Sequence, residues 1–152
     1  NACAITTSGI LKCWGYPYQG GVGNGNWNYQ NVYAPMEIDA GVTYTTISAM
    51  KNSMCGITSL GALKCWGGTL SNGSNPDSVP RSPTVLDVGV TYVGLAEGNL
   101  YNGSMICGFT STGKTKCRED VYGSNGASVD NVSLLNGLFG NFFSFPTVIN
   151  GL

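Results

Sequence analysis

The amino-acid sequence predicts an all-β protein of three tandem units, each built on a disulfide-stapled β-hairpin. Three observations carry that prediction. Six cysteines recur at a fixed interval, a hairpin phrase recurs with them, and no long window holds the 3.6-residue apolar period of a helix.

The cysteines stand at 3, 13, 55, 65, 107 and 117, ten apart within a pair and 52 apart between pairs. The enclosed segments read Cys3-AITTSGILK-Cys13, Cys55-GITSLGALK-Cys65 and Cys107-GFTSTGKTK-Cys117, and share a small residue, an Ile or Phe, a Thr, a late Gly and a final Lys. In the first copy, antiparallel pairing of Cys3 with Cys13 also pairs Ile5 with Leu11 and leaves Thr7-Ser8-Gly9 as the loop. A three-residue hairpin loop uses a type I turn followed by a left-handed residue, a place that Gly takes without a Cβ penalty, so Gly9, Gly61 and Gly113 fit it. Opposed residues of an antiparallel pair lie about 4.5 to 5.5 Å apart at Cα, within disulfide reach, and three intra-hairpin bonds are predicted. Metal ligation is disfavoured, because zinc sites use shorter cysteine spacings and the chain has no His.

Between hairpins a second element recurs as Pro35-MEIDAGVTY, Pro83-TVLDVGVTY and a shorter Pro146-TVINGL. Proline followed by alternating apolar residues reads as a short strand that turns at Gly41 or Gly89. The β-prone stretches 43–50 and 91–98 then lead into the next hairpin, so one unit supplies about four strands. A single domain over 1–152 is expected, with units at about 1–41, 42–89 and 90–152.

Composition excludes several function classes. Seven Lys and Arg against eight Asp and Glu leave no basic stripe for phosphate, so nucleic acid is not an expected partner. No apolar run reaches the roughly 20 residues of a membrane-spanning helix; the most hydrophobic stretch, 134–146, is broken by Asn and Gly. Polarity comes instead from 15 Asn and 27 Ser and Thr, with only 10% charged residues. Three paired cysteines and no leftover thiol point to an oxidising compartment, hence to secretion or a cell surface. A chain that opens at Asn1 reads as a mature, trimmed or incomplete form.

The phrases CGITSLGALKCWG at 55–67 and CAITTSGILKCWG at 3–15, the glycine cluster at 20–25, and the Pro35 and Pro83 strands that run to Gly-Val resemble the regulator-of-chromosome-condensation repeat, a β-propeller family. The resemblance covers nearly the whole chain and implies three tandem propeller-like blades whose ring is not closed within one chain. It departs from the pattern where Arg118 replaces the Trp of Trp14 and Trp66, and where the glycine cluster degenerates at 68–73 and 123–126. The cysteine pairs look like those of secreted relatives, and the likeness does not license guanine-nucleotide exchange.

No enzyme is predicted: the commonest catalytic base, His, is absent, and Asp120 and Asp130 read as turn and solvation residues. No catalytic residue, metal or cofactor is assigned. Trp14 and Trp66 recur at one point of the unit and are expected to pack at blade junctions. Trp27, Tyr29 and Tyr33 lie in a loop that the other units lack; interleaved with Asn, they suit stacking on a sugar or anchoring a protein. Asn72, Asn102 and Asn131 fit the glycosylation signal, at a count that chance alone gives for this composition.

Two functions are expected. The first is an extracellular structural or assembly subunit of a surface layer, fibre or filament, whose copies associate head to tail. There the C-terminal segment, through Phe145, Pro146, Val148 and Ile149, completes the first blade of the next copy, since three blades are too few for a closed propeller. The second is a secreted binding module, a protein inhibitor or lectin-like propeller with a protein or glycan ligand, or part of a longer propeller.

Overall fold

A computed structural model describes residues 1–26, 30–50, 53–68, 81–100, 103–121 and 128–130. At 99–100, 103–104, 118–121 and 128–130 it describes the backbone alone. The chain forms three antiparallel sheets in sequence. The first is β1 (Ala2–Ile5), β2 (Leu11–Gly15) and β3 (Val32–Glu37); the second is β4 (Tyr44–Ala49), β5 (Ser53–Thr58), β6 (Leu63–Gly67) and β7 (Thr84–Leu86). The third is β8 (Tyr92–Leu100), β9 (Gly103–Thr110), β10 (Thr115–Val121) and β11 (Ser128–Asp130). Within each sheet the strands are joined as a meander, and the described sheets do not close into a ring.

The hairpins form for the local reason that the sequence supplies. Gly9, Gly61 and Gly113 sit at φ +83°, +80° and +77°, in the left-handed region. Gly9 N–H donates to Thr6 O and Thr6 N–H to Ile10 O, and this tight loop sets Cys3 opposite Cys13 and Ile5 opposite Leu11. The same register pairs Cys55 with Cys65 and Cys107 with Cys117. Disulfides join all three pairs, with Cα atoms 4.1, 4.1 and 4.0 Å apart.

Two apolar clusters lie between sheets. Leu11, Cys13, Val22, Ile38, Tyr44, Met54 and Trp66 fill the first junction; Met50, Cys55, Ile57, Leu63, Cys65, Tyr92 and Ile106 fill the second. Each large side chain buried there contributes on the order of 1.5 to 3 kcal/mol. Trp66 is fully buried at the first junction, as its recurrence suggests, whereas Trp14 is half-buried.

Candidate functional site: sheet junctions and an aromatic patch

The charged residues that the repeat preserves meet at the junctions. After β3 and after β7 the chain turns through Asp39-Ala-Gly41 and Asp87-Val-Gly89, where Val42 N–H donates to Asp39 O and Val90 N–H to Asp87 O. Both aspartates hold a positive φ, +58° and +53°, a conformation that Asp tolerates better than most residues. Their carboxylates are thereby aimed at the following sheet. Tyr44 Oη donates to Asp39 Oδ2 at 2.6 Å, and Lys64 Nζ reaches the same oxygen at 2.6 Å. At the next junction Tyr92 Oη donates to Asp87 Oδ2 at 2.5 Å and Lys116 Nζ lies at 3.2 Å.

The two locks differ in depth. The Lys64 and Asp39 side chains are 16% and 19% exposed, those of Lys116 and Asp87 26% and 42%. Burial, reinforced by the hydrogen bond and charge of Asp39, pushes the Tyr44 phenol far above its ordinary range. The Tyr92 hydrogen bond, with Lys116 adding to it and burial opposing, holds the Asp87 carboxyl below the usual carboxylate value. Backbone contacts tighten both junctions: Gly9 O accepts Tyr44 N–H and Gly61 O accepts Tyr92 N–H, each at 2.8 Å. Between the second and third sheets a cavity of about 170 Å³ remains, walled by Leu63, Leu86, Leu95 and Ile106, with Asp87, Tyr92 and Lys116 at its polar side.

Exposed tyrosines stand beside and on the first sheet. Beyond β2, Tyr16 and Tyr18 stack with ring centroids 6.0 Å apart and planes 6° from parallel; they are 45% and 43% exposed and flank the buried Pro17. Tyr33, on β3, is 88% exposed, and Asn31 Nδ2 donates to its hydroxyl at 3.5 Å. Parallel, half-open phenol rings are a surface for stacking, with hydroxyls that add hydrogen bonds at the rim.

The structure thus places Tyr33 at the surface, while Trp27 and Tyr29 lie outside the described residues. So do Asn72, Asn102 and Asn131 and the segment with Phe145, Pro146, Val148 and Ile149. Asp120 falls on β10 and Asp130 on β11. Among the described residues no group of His, Cys, Asp and Glu is placed to hold a metal ion, and no helix is long and apolar enough to cross a membrane. Sequence reasoning missed two things, the Tyr16–Tyr18 pair and the junction carboxylates. The second was findable: in a chain so poor in charge, an Asp at one point of two units and a Lys before the second Cys of all three are a recurrence that solvation does not require.

Fold and junctions together define a chain of propeller-type repeats whose described sheets do not close into a ring. Solved structures share the fold. Yeast RCC1 (Prp20) in its complex with Kap60 superposes with a TM-score of 0.63 at 16% identity, over 86% of this chain and 35% of that one. Prp20p of Saccharomyces cerevisiae, described with its binding to Gsp1p and histones, gives 0.63 and 16% over 86% and 36%. Human WBSCR16 gives 0.57 and 22% over 76% and 29%. The chain therefore spans about a third of the length of these neighbours. At such identities the likeness carries the propeller fold alone, and for the fold it agrees with the resemblance read from the sequence. No protein-family profile matches the chain, and a search of curated protein sequences finds no match.

Proposed function

We propose that the chain is a non-catalytic, extracellular binding module of propeller type that holds a glycan against the stacked Tyr16–Tyr18 pair beside its first sheet. The stacked, half-open Tyr16–Tyr18 pair carries the reading. The two rings stack on one another and stay 45% and 43% exposed, and aromatic surface of this kind takes sugar rings through C–H contacts. The surroundings are neutral and amide-rich, as suits an uncharged ligand. Of the described carboxylates, Asp39 and Asp87 are committed to junction locks and Glu97 accepts from Ser48 and from Ala49 N–H, which leaves these three unsuited to acid–base work. Three disulfides support an oxidising, extracellular setting.

Titration of the intact chain with soluble oligosaccharides of chitin, cellulose and mannan, followed by intrinsic fluorescence, tests the reading. Saturable binding to one of them that falls at least about tenfold in Tyr16→Ala/Tyr18→Ala, with the melting temperature held, supports it. Indifference to the double substitution overturns it. A protein ligand on the same patch is the other outcome, since two of the structural neighbours are described with protein partners.

A second reading is favoured by a separate observation: among the described residues β1 pairs with β2 alone, where β5 and β9 each have two partners. An open sheet edge invites another strand, and copies joined head to tail at that edge would form a ring or an extracellular filament. Sedimentation velocity of the purified chain at rising concentration tests this, and a monomer throughout overturns it.

A further inference from the structure

We propose that the cavity between the second and third sheets is a binding site for a small neutral alcohol, one aromatic ring or branched alkyl group that carries a single hydroxyl. The site shares no residue with the Tyr16–Tyr18 pair, so the two readings are tested separately.

The two junctions are built on one plan and filled differently. Ile38, Ile47 and Met54 of the first correspond to Leu86, Leu95 and Ile106 of the second, and Asp39, Tyr44 and Lys64 to Asp87, Tyr92 and Lys116. In the first junction Trp66 lies opposite Met54 in the β5–β6 register and is fully buried, so closely covered that a Cβ at Gly23 would meet its Nε1 at 2.7 Å. The β9–β10 register places Arg118, not a second tryptophan, opposite Ile106. The indole that completes the first junction has no counterpart in the third sheet, and at the second junction about 170 Å³ stays open.

Size and walls set the body of the ligand. Leu63, Cys65 and Ile106 on the walls are buried, and Leu86 and Leu95 partly so. Surface of this kind gains by taking hydrocarbon out of water. An apolar protein cavity of about 150 Å³ holds benzene, so this one takes roughly seven or eight non-hydrogen atoms.

The polar side selects the head group. Asp87 Oδ2 accepts the Tyr92 hydroxyl and Lys116 Nζ, and among the described residues Asp87 Oδ1 accepts no hydrogen bond. The Asp87 and Lys116 side chains are 42% and 26% exposed, so this side of the cavity meets water and admits a ligand. Carboxylate and ammonium together carry no net charge. A cationic head would meet Lys116 and an anionic one Asp87, and either would give up its hydration for a site with no surplus of the opposite sign. A hydroxyl donates to the carboxylate, accepts from the ammonium and is far cheaper to desolvate than an ion.

Benzyl alcohol is titrated into the isotope-labelled full chain, with toluene, benzylamine and benzoate as probes that keep the ring and change the head. Saturable shifts of the Leu95, Gly108 and Lys116 amides are expected, with benzyl alcohol bound at least about threefold more tightly than each of the other probes. Leu95→Phe and Leu86→Phe each put a ring where that of the probe would lie, and should weaken benzyl alcohol at least about tenfold; whichever keeps the parent melting temperature is read. Lys116→Met, which leaves the Asp87 carboxylate without its cation, should make benzylamine the tightest of the probes. Absence of saturable shifts at those amides, unchanged affinity in the Phe variants, or equal or tighter binding of another probe to the parent chain overturns the proposal. A sugar titration of Tyr16→Ala/Tyr18→Ala is untouched by any of these outcomes.

Discussion

Lys64 Nζ lies 2.6 Å from Asp39 Oδ2, a carboxylate twenty-five residues earlier and one sheet away. The same oxygen accepts the Tyr44 hydroxyl, so one aspartate ties the end of the first sheet both to the strand that opens the second and to that sheet's hairpin. The third sheet repeats the arrangement with Asp87, Tyr92 and Lys116.

Depth decides what each lock is worth. Lys64→Met leaves the Asp39 carboxylate, four-fifths buried, with the Tyr44 hydroxyl as its remaining partner, and should cost about 1 to 3 kcal/mol. Lys116→Met at the shallower junction should cost less than about 1 kcal/mol. Urea unfolding of the two variants side by side checks the order, and equal losses would show that depth is irrelevant.

Acid should act through Asp87. Its folded-state carboxyl titrates below the ordinary value of 3.8, so its contribution is complete above that value and is lost as pH falls from 3.8 through the lowered folded pKa. Melting temperatures measured between pH 6 and pH 2 should show a decline in the parent chain that begins near that carboxylate value and is shallower in Asp87→Asn. Identical slopes would remove Asp87 from the acid transition.

Reduction should be ordered by exposure. Cys55 and Cys65 are fully buried, while Cys3 is partly exposed. Under native conditions a soluble phosphine should open Cys3–Cys13 before Cys55–Cys65, read by alkylation and peptide mapping. Loss of any one bond, each closing a short loop, should cost on the order of 2 to 3 kcal/mol and weaken its sheet without abolishing the fold.

Gly108→Ala should destabilise by about 1 to 3 kcal/mol, because the added methyl group falls on the Tyr92 ring. Tyr92→Ala, which empties part of the second junction, should cost more than Gly108→Ala, and the paired variant Gly108→Ala/Tyr92→Ala should cost less than the sum of the two single losses, since it removes the clash along with the ring. A double-mutant cycle by thermal unfolding measures the coupling.

Much of the fold was legible in short-range chemistry. The ten-residue cysteine spacing, with Gly9, Gly61 and Gly113 at the left-handed turn position, sets hairpin register through contacts between near neighbours, and that register is found. The candidate site was less legible. Tyr33 stands out by its place in a loop unique to one unit, whereas two tyrosines around a proline reveal no shared stacking in the sequence, and only the folded chain sets the Tyr16 and Tyr18 rings parallel.

The sequence by itself determined the repeat, the hairpins, the disulfide pairs and the all-β character, because each depends on residues no more than about a dozen positions apart or on strict recurrence. Tertiary structure alone decided what the scattered charges do and which glycines are indispensable. Asp39 and Lys64 meet only when two sheets stack, and Gly56 and Gly108 are required only because a tyrosine ring from the preceding strand lies across them. The first contact joins residues 25 apart through the packing of one sheet on the next, the second arises where paired strands of one sheet lay a ring over a glycine, and no local pattern encodes either.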